Sequence, residues 1–427
     1  MRLLRARVLG HFAVNNSGWF SCSPELTLIV GAAGAGKSTV LRALRSINPP
    51  FFEPEPTPFA DYPRMVEQGG RQRRVIASKK TAVVTVFACD EPLRAELARI
   101  DPVFLETERI EIGRRLDGSR WLTFVEIASS SRWSEVDADM SRLREALGGA
   151  GIAEIDEGFA FCATLLPTDR IKGATAARLD RLLSRLDRVA AAADLRGLIA
   201  RIRHAVSRAE RFGKARRLVL RHLPVMLFLR ADSLLQTVLD PQGLRGQPPA
   251  LGEWARPGGD LLFLDLLGIR PGQARWNKAA AGEDHLDRLC DRLTSLLREW
   301  LPHRRLRLAA RRLQGQVEFA VEGNGNPPVP LDRLPAHLRW LITCAVGVLW
   351  SEGRRGGPVV FLLDEPDAGC SEAEAGELSA ALPALCDTGH QCVLATTRVS
   401  AVREGGRGYL LANEDGGQGS TMHPLSA

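Results

Sequence analysis

The residues best suited to chemistry form a glycine-rich run that ends in a lysine and two hydroxyl side chains. The run has the spacing G-x-x-x-x-G-K-S, in which glycines let successive backbone N–H groups point inward at a phosphate. The lysine of such a run reaches the β- and γ-phosphates of a nucleoside triphosphate, and the next hydroxyl ligates Mg²⁺. A nucleotide-binding site is therefore predicted at Gly31, Ala32, Ala33, Gly34, Ala35, Gly36, Lys37, Ser38 and Thr39.

A second part of the same site is predicted near the other end of the chain. The apolar run 359–363 ends in Asp364 and Glu365. An acid at the carboxyl end of a buried parallel strand lies where α/β sheets bind their ligands. We expect Asp364 to hold Mg²⁺ through water, together with Ser38. Glu365 is expected to position or deprotonate the attacking water, which makes it a candidate catalytic residue beside Lys37.

Three apolar runs are expected to position these groups. Residues 26–30 precede the glycine-rich run, which leads into a helical pattern at 40–45. Residues 359–363 and 391–397 are also apolar, which is typical of strands buried on both faces of a parallel sheet. The order strand, glycine-rich loop, helix is the context that a phosphate-binding loop requires. We therefore expect an α/β head assembled from both ends of the chain.

The chain between the two motifs is interpreted as three parts. Residues 1–135 are predicted to form an N-terminal half, with strands within residues 1–30 and further strands at 81–87, 106–112 and 120–126 that complete a β-rich lobe. Residues 136–222 have apolar residues at three- and four-residue spacing and are predicted to form a helical arm. One continuous helix of about 60 Å, or a hairpin broken near Ala193 and Asp194, fits this spacing. Residues 223–427 are predicted to form the C-terminal half.

The positive charge of the chain is local. The formal net charge is +7, yet residues 170–221 contain 15 Lys and Arg against 4 Asp and Glu. Such a segment can track a nucleic-acid backbone, dock to an acidic partner, or present an ordinary solvated arginine-rich surface. The three interpretations stay open. For the nucleic-acid or partner contact the candidate residues are Arg201, Arg203 and Arg208.

Composition predicts a soluble, cytoplasmic protein. The 8 cysteines are scattered, without a C-x-x-C pair or a ligand cluster, which favours reduced buried thiols over zinc or disulfides. The N-terminus has no signal-peptide core, and the longest apolar run, 340–350, is too short to span a bilayer. We expect no membrane association.

The two motifs together resemble the ABC class of P-loop ATPases. Within that class, the long separation between Lys37 and Asp364 resembles the SMC, RecF and OLD-like branch, and most closely the arm-bearing ATPases of prokaryotic anti-phage systems such as Septu. The resemblance implies an ABC-type head with an inserted helical arm, ATP and Mg²⁺ as ligands, and a dimer or a hetero-complex with a separate effector subunit. Cleavage of nucleic acid, where it occurs, is expected from such a subunit, for example a nuclease.

The chain departs from this class in two motifs that matter for hydrolysis. The signature near Leu-Ser-x-Gly, whose Ser and Gly contact the ATP of a second head, is here Leu334, Pro335, Ala336 and His337. Proline lacks both hydroxyl and N–H, and a histidine ring prevents the close approach that glycine allows. The switch histidine is replaced by Arg398, which cannot shuttle protons but can hold a γ-phosphate as a fixed cation.

These observations predict an ATP-binding regulatory subunit of a multi-protein antiviral defence complex, with slow or partner-dependent hydrolysis. Two alternatives stay open, namely a RecF- or SMC-like DNA-repair ATPase and an ATP-binding scaffold without turnover.

Overall fold

A computed structural model of the chain describes most of its residues. The described ranges are 1–11, 14–50, 65–68, 71–74, 76–148, 151–240, 258–268, 283–313, 316–323, 326–354, 357–398, 407–413 and 420–425.

The strands of the described residues pair into separate sheets. Their bounds are β1 (Arg2–His11), β2 (Val14–Asn16), β3 (Phe20–Ser21), β4 (Leu26–Val30), β5 (Met65–Gln68), β6 (Arg71–Arg74), β7 (Thr81–Ala88), β8 (Arg109–Arg115), β9 (Arg120–Phe124), β10 (Val225–Leu229), β11 (Val238–Leu239), β12 (Leu306–Leu313), β13 (Gln316–Gly323), β14 (Asn326–Pro330), β15 (Val359–Asp364), β16 (Gln391–Thr396), β17 (Arg407–Asn413) and β18 (Ser420–Pro424).

The α-helices of the described residues lie between these strands. Their bounds are α1 (Lys37–Arg45), α2 (Glu91–Ala98), α3 (Asp137–Leu147), α4 (Ala153–Cys162), α5 (Gly173–Val189), α6 (Ala193–Val206), α7 (Arg208–His222), α8 (Gly258–Leu266), α9 (Glu283–Trp300), α10 (Ala336–Arg354) and α11 (Glu372–Asp387).

The central sheet brings the two ends of the chain together. Its strand order is β10-β15-β16-β4-β17-β18, and every neighbouring pair is parallel except β17 and β18. The N-terminal strand β4 is thus inserted between two strands from the last 40 residues. The α/β head expected from both ends of the chain is confirmed. Because parallel strands end at one edge, the carboxyl ends of β4, β15 and β16 share that edge.

Further sheets accompany the central one. One sheet has the order β2-β1-β7-β8-β9, and β3 also pairs with β1. A second sheet is formed by β11, β12, β13 and β14, and β5 pairs with β6. The strands expected at 81–87 and 120–126 are present, whereas the strand expected at 106–112 begins three residues later, at Arg109. Residues Pro102–Glu106 instead form a 3₁₀ turn that Asp101 caps through the Val103 N–H.

The chain divides into two compact units. Unit 1 comprises Met1–Ala88, Glu111–Trp121 and Leu223–Ala427, and unit 2 comprises Cys89–Ile110 and Leu122–His222. In unit 1, α10 carries the apolar run 340–350, and this helix is buried in the main core beside α8 and α9, as its composition predicts.

Unit 2 is helical with a core of its own. The core is formed by the apolar faces of α3, α4, α5 and α6, including Leu143, Phe159, Leu183, Leu186 and Ile199. The segment is helical as predicted, but the continuous 60 Å helix is not formed. Helix α5 ends at Val189, the backbone at Ala190 is extended, and α6 starts at Ala193 and packs against α5. The apolar spacing before and after the break allows both helices to bury their stripes in one core.

Candidate functional site

The glycine-rich run forms a loop between β4 and α1, as its spacing predicts. Gly34 and Gly36 have φ values of 79° and 98°, a region that favours glycine. Ala32, Ala33 and Gly34 are exposed, and α1 begins at Lys37. The first backbone N–H groups of an α-helix have no acceptor within that helix, which makes the loop at the start of α1 a suitable cradle for an anion.

Gly31 is required for a different reason. A Cβ atom at this position would lie 2.7 Å from the carbonyl oxygen of Leu411, because β17 runs beside the end of β4. The Gly31 N–H also donates to the Thr396 carbonyl oxygen over 3.2 Å. Gly31 therefore holds the start of the loop close to the two neighbouring strands.

Lys37 is buried within the loop, with its ammonium group directed at oxygen atoms. Its Nζ donates to the carbonyl oxygens of Gly31 and Ala32 over 2.8 and 2.9 Å. The same Nζ lies 3.2 Å from Glu365 Oε1. Two of the predicted catalytic residues are thus in direct contact, although 328 positions separate them in the sequence.

Ser38 and Asp364 are also brought together. The Ser38 hydroxyl donates to Asp364 Oδ1 over 2.9 Å. Burial raises the pKa of Asp364, an effect to which the neighbouring Glu365 charge adds and which the Ser38 hydrogen bond and the Arg230 and Arg42 charges oppose. A hydroxyl beside a partly desolvated carboxylate is an oxygen donor set that suits Mg²⁺, so the residues fit the ion expected from the sequence.

Glu365 has an unusual backbone conformation. Its φ is 54°, in the left-handed region, and it is one of two described non-glycine residues with positive φ. Its N–H donates to the Ala395 carbonyl oxygen on β16 over 2.8 Å, which continues the pairing of β15 and β16 past Asp364. Such a conformation costs about 1–2 kcal/mol for a residue with a Cβ atom. It turns the Glu365 side chain toward Lys37, and 41% of that side chain is exposed.

Arg398 lies after β16 at the same sheet edge, but its side chain contacts the loop after Pro366. Its Nη2 donates to the carbonyl oxygen of Cys370, and its Nε lies 3.9 Å from Asp367 Oδ2. Asp367 is buried and accepts a hydrogen bond of 2.6 Å from the Thr396 hydroxyl. The structure therefore brings Lys37, Ser38, Asp364 and Glu365 into one group. The Arg398 guanidinium instead contacts the loop after Pro366.

In the segment that replaces the signature motif, Pro335 is exposed, whereas His337 is directed into the protein. Pro335 precedes α10, and the His337 side chain in the first turn is fully buried. Its Nε2 lies 2.6 Å from Glu377 Oε2. Burial opposes ionisation of Glu377, but hydrogen bonds from Arg304 and His303 outweigh it and lower the pKa of Glu377 to about 2. His337 thus belongs to an internal polar network.

Asp367 and Glu377 were not predicted from the sequence. Asp367 meets its partner Thr396 across 29 positions, and Glu377 meets His337 across 40. Neither spacing belongs to a local motif, so no periodic or turn signal marks them. The only available signal was the number of acidic residues in this loop and in the first turn of α11. A carboxylate that becomes buried requires a partner, so some of these residues could be expected to form internal contacts.

The candidate arginines for nucleic-acid contact lie in unit 2, each beside a carboxylate of the same unit. Arg201 lies 3.3 Å from Asp139, Arg203 lies 3.3 Å from Asp187, and Arg208 lies 2.8 Å from Glu135. Exposed pairs of this kind contribute about 0–1 kcal/mol. They therefore reduce the local positive field without preventing these side chains from contacting a phosphate.

Comparison with solved structures gives similarity to SMC heads. An SMC head bound to the C-terminal winged-helix domain of ScpA is 14% identical, with 100% of this chain and 98% of that chain covered and a TM-score of 0.47. The Pyrococcus furiosus Smc head bound to a ScpA domain is 13% identical, with 100% and 96% covered and a TM-score of 0.43. The Thermotoga maritima SMC head is 12% identical, with both chains fully covered and a TM-score of 0.41.

No protein-family model and no curated protein sequence matches this chain. The α/β head expected from both ends of the chain, with a helical segment between its two halves in the sequence, is confirmed by the strand order. At these identities and TM-scores, the similarity to SMC heads does not indicate the activity or the partners of this chain. None of the helices in the described part of the chain combines the length and apolar character needed to cross a bilayer.

Proposed function

We propose that this protein binds Mg²⁺ and ATP at the loop 31–39 and hydrolyses ATP slowly. The observation that carries the proposal is the 2.9 Å contact between the Ser38 hydroxyl and Asp364 Oδ1, two residues 326 positions apart. A hydroxyl from the phosphate loop and an acid from a parallel strand meet where Mg²⁺ is held in P-loop enzymes.

Each residue of the group has a defined role in this proposal. The loop N–H groups and Lys37 bind and orient the phosphates. Ser38 and Asp364 hold Mg²⁺, which neutralises charge on the phosphate oxygens when bound. Glu365 orients the attacking water and accepts its proton. Lys37 exchanges its contact with Glu365 for phosphate oxygens, which frees the Glu365 carboxylate to act as a base.

Slow turnover is proposed from three features. Arg398 is a fixed cation that cannot accept a proton, and its guanidinium is engaged by Cys370 and Asp367. Pro335 offers neither hydroxyl nor N–H to the nucleotide of a second head. His337 directs its ring to Glu377 instead of to solvent. ATP then acts mainly as a ligand that controls assembly or a partner effector.

The finer proposal is that this ATPase is the regulatory subunit of a multi-protein anti-phage defence complex. It is supported by the sequence resemblance to arm-bearing ATPases of that kind. The same site in a RecF- or SMC-like repair ATPase, or in a scaffold that binds ATP without turnover, is the alternative.

The purified protein alone is expected to bind Mg²⁺ and ATP stoichiometrically and to turn ATP over at well below the common enzyme rate of about 10 s⁻¹. Calorimetry and phosphate release measure the two quantities. The masses of proteins that co-purify with the native chain, with and without ATP, test the regulatory role, because an ATP-dependent partner should raise turnover. Brisk turnover without any partner contradicts slow hydrolysis, and an absence of nucleotide binding contradicts the whole proposal.

Nucleic-acid contact by unit 2 is a second proposal, supported by the excess of basic residues at 170–221. Replacing Arg201, Arg203 and Arg208 with glutamine should weaken duplex DNA binding in gel-shift or anisotropy measurements. The slope of log K against log salt should fall by about 0.9 for each phosphate that the variant no longer neutralises. The matched control replaces Arg292, Arg307 and Arg311 of unit 1, two of which are also paired with carboxylates. If both triple variants weaken DNA binding equally, the binding is explained by general charge attraction and not by a specific contact with unit 2.

A further inference from the structure

A cluster of three different potential metal ligands lies beside the loop that follows Glu365. It consists of His337 in the first turn of α10, Cys370 in the loop before α11, and Glu374 in the first turn of α11. One potential ligand atom from each residue lies within 4.8 Å of the other two. We call these three residues the His337 cluster, which shares no residue with the proposed ATP site.

The imidazole of His337 shows which of its atoms is available to a ligand. Nε2 lies 2.6 Å from a carboxylate oxygen of Glu377, so Nε2 carries the proton and donates it. In the neutral imidazole Nδ1 then has a lone pair, and among the described residues Nδ1 has no hydrogen-bond partner, although the side chain is 0% exposed. The nearest carboxylate oxygen, Glu374 Oε1, lies 3.9 Å from Nδ1, which is too long for a hydrogen bond.

A buried hydrogen-bond acceptor without a donor is unfavourable, because it has lost its contact with water without a replacement. A metal ion removes this cost because the lone pair becomes a ligand bond. A histidine that binds metal through one nitrogen and donates its other N–H to a carboxylate is the arrangement that fixes ring orientation and raises ligand basicity. Glu377 already occupies that supporting position.

The remaining two ligands complete a neutral site. Cys370 is buried, its Sγ lies 3.9 Å from the Pro366 carbonyl oxygen, and the His337 backbone N–H faces the same sulfur. Glu374 uses Oε2 to cap α11 through Ser371 and leaves Oε1 facing His337. A thiolate and a carboxylate carry two negative charges, which a divalent cation balances.

We propose that His337, Cys370 and Glu374 bind a zinc(II) ion. One nitrogen, one sulfur and one oxygen ligand suit a borderline-soft ion and do not suit Mg²⁺ or Ca²⁺, which prefer oxygen alone. Zn–N and Zn–O bonds of about 2.0 Å and a Zn–S bond of about 2.3 Å require ligand separations of about 3.3–3.7 Å. Because the candidate ligand atoms lie within 4.8 Å of one another, the cluster reaches these separations by closing about 1.5 Å or less.

The ion would connect the start of α10 to the loop that carries Asp367. Glu374 is half-buried, which gives the ion a route from solvent and leaves a fourth position for water or for a group from another protein. The same loop accepts the Arg398 guanidinium at the Cys370 carbonyl oxygen. Zinc would therefore rigidify the loop between the proposed general base and α11.

The test uses the full chain without a polyhistidine tag, stripped of metal and titrated with Zn(II) or Co(II) alone. We expect one ion per chain, a thiolate-to-Co(II) charge-transfer band in the near ultraviolet, and a higher melting temperature with Zn(II). Cys370→Ser should abolish the charge-transfer band. Glu374→Gln retains the helix cap and should weaken binding at least about tenfold.

Cys162→Ser, a change at a buried thiol of unit 2, is the matched control and should bind like the wild type. Circular dichroism verifies that each variant is folded, and Glu374→Gln decides the result where Cys370→Ser does not fold. An absence of stoichiometric binding, a Co(II) spectrum without a thiolate band, or wild-type affinity in Glu374→Gln would each overturn the proposal.

Discussion

Replacing Lys37 with methionine is expected to weaken ATP binding between about 10- and 100-fold. Methionine retains an unbranched stem of similar length in the buried position, so the packing around the loop is largely kept. The change removes charge-assisted hydrogen bonds to the phosphates, each of which contributes about 1.5–3 kcal/mol. Calorimetric titration with Mg²⁺ and ATP measures the decrease in affinity.

The matched control for this variant is Lys79→Met, which removes an exposed lysine of the same unit. It should bind ATP as the wild type does. Thermal unfolding without nucleotide separates a loss of binding from a loss of folding. Unchanged affinity in Lys37→Met would exclude the loop 31–39 as the phosphate site.

Glu365→Gln is the second change with a large expected effect, this time on the chemical step. Loss of a general base lowers the rate of hydrolysis by about 10²- to 10⁴-fold. Glutamine keeps the side-chain length and the backbone conformation, so nucleotide binding should be retained. Removing the negative charge also ends the 3.2 Å ion pair with Lys37, so ATP affinity should rise. Single-turnover hydrolysis and retention of bound ATP during gel filtration measure the two effects.

Glu372→Gln, at the exposed start of α11, is the control for this charge change and should leave both quantities unaltered. Equal hydrolysis by Glu365→Gln and the wild type would assign the base to another residue. If the wild type binds ATP but no hydrolysis is detected in either protein, the scaffold alternative is favoured. Retention of ATP by the variant alone supports an enzyme of either the defence or the repair kind.

Both expected results concern residues that short sequence motifs identify. The loop 31–39 is identified by its spacing because the glycines, the lysine and the hydroxyl all act within nine consecutive residues. Asp364 and Glu365 are identified because they end a continuous apolar strand. Each motif is local, and an α/β sheet brings the ends of its parallel strands together whatever lies between them.

The helix boundaries in unit 2 were harder to predict from the sequence, for a physical reason. The spacing of apolar residues across 174–206 is the same for one long helix and for two helices that share a core. Only the packing of α5 against α6 selects the break at Ala190. Periodicity indicates which face is buried but not the element against which it is buried.

The sequence by itself determined the glycine-rich loop 31–39, the acid pair at 364–365 and the division of the head between the two ends of the chain. Tertiary structure alone decided the direct contact of Lys37 with Glu365, the engagement of Arg398 by the neighbouring loop, and the meeting of His337 with Cys370 and Glu374. These contacts join side chains from different elements at irregular separations. Their geometry depends on how α10, α11 and the sheet pack, and side-chain packing of that kind has no local signal in the sequence.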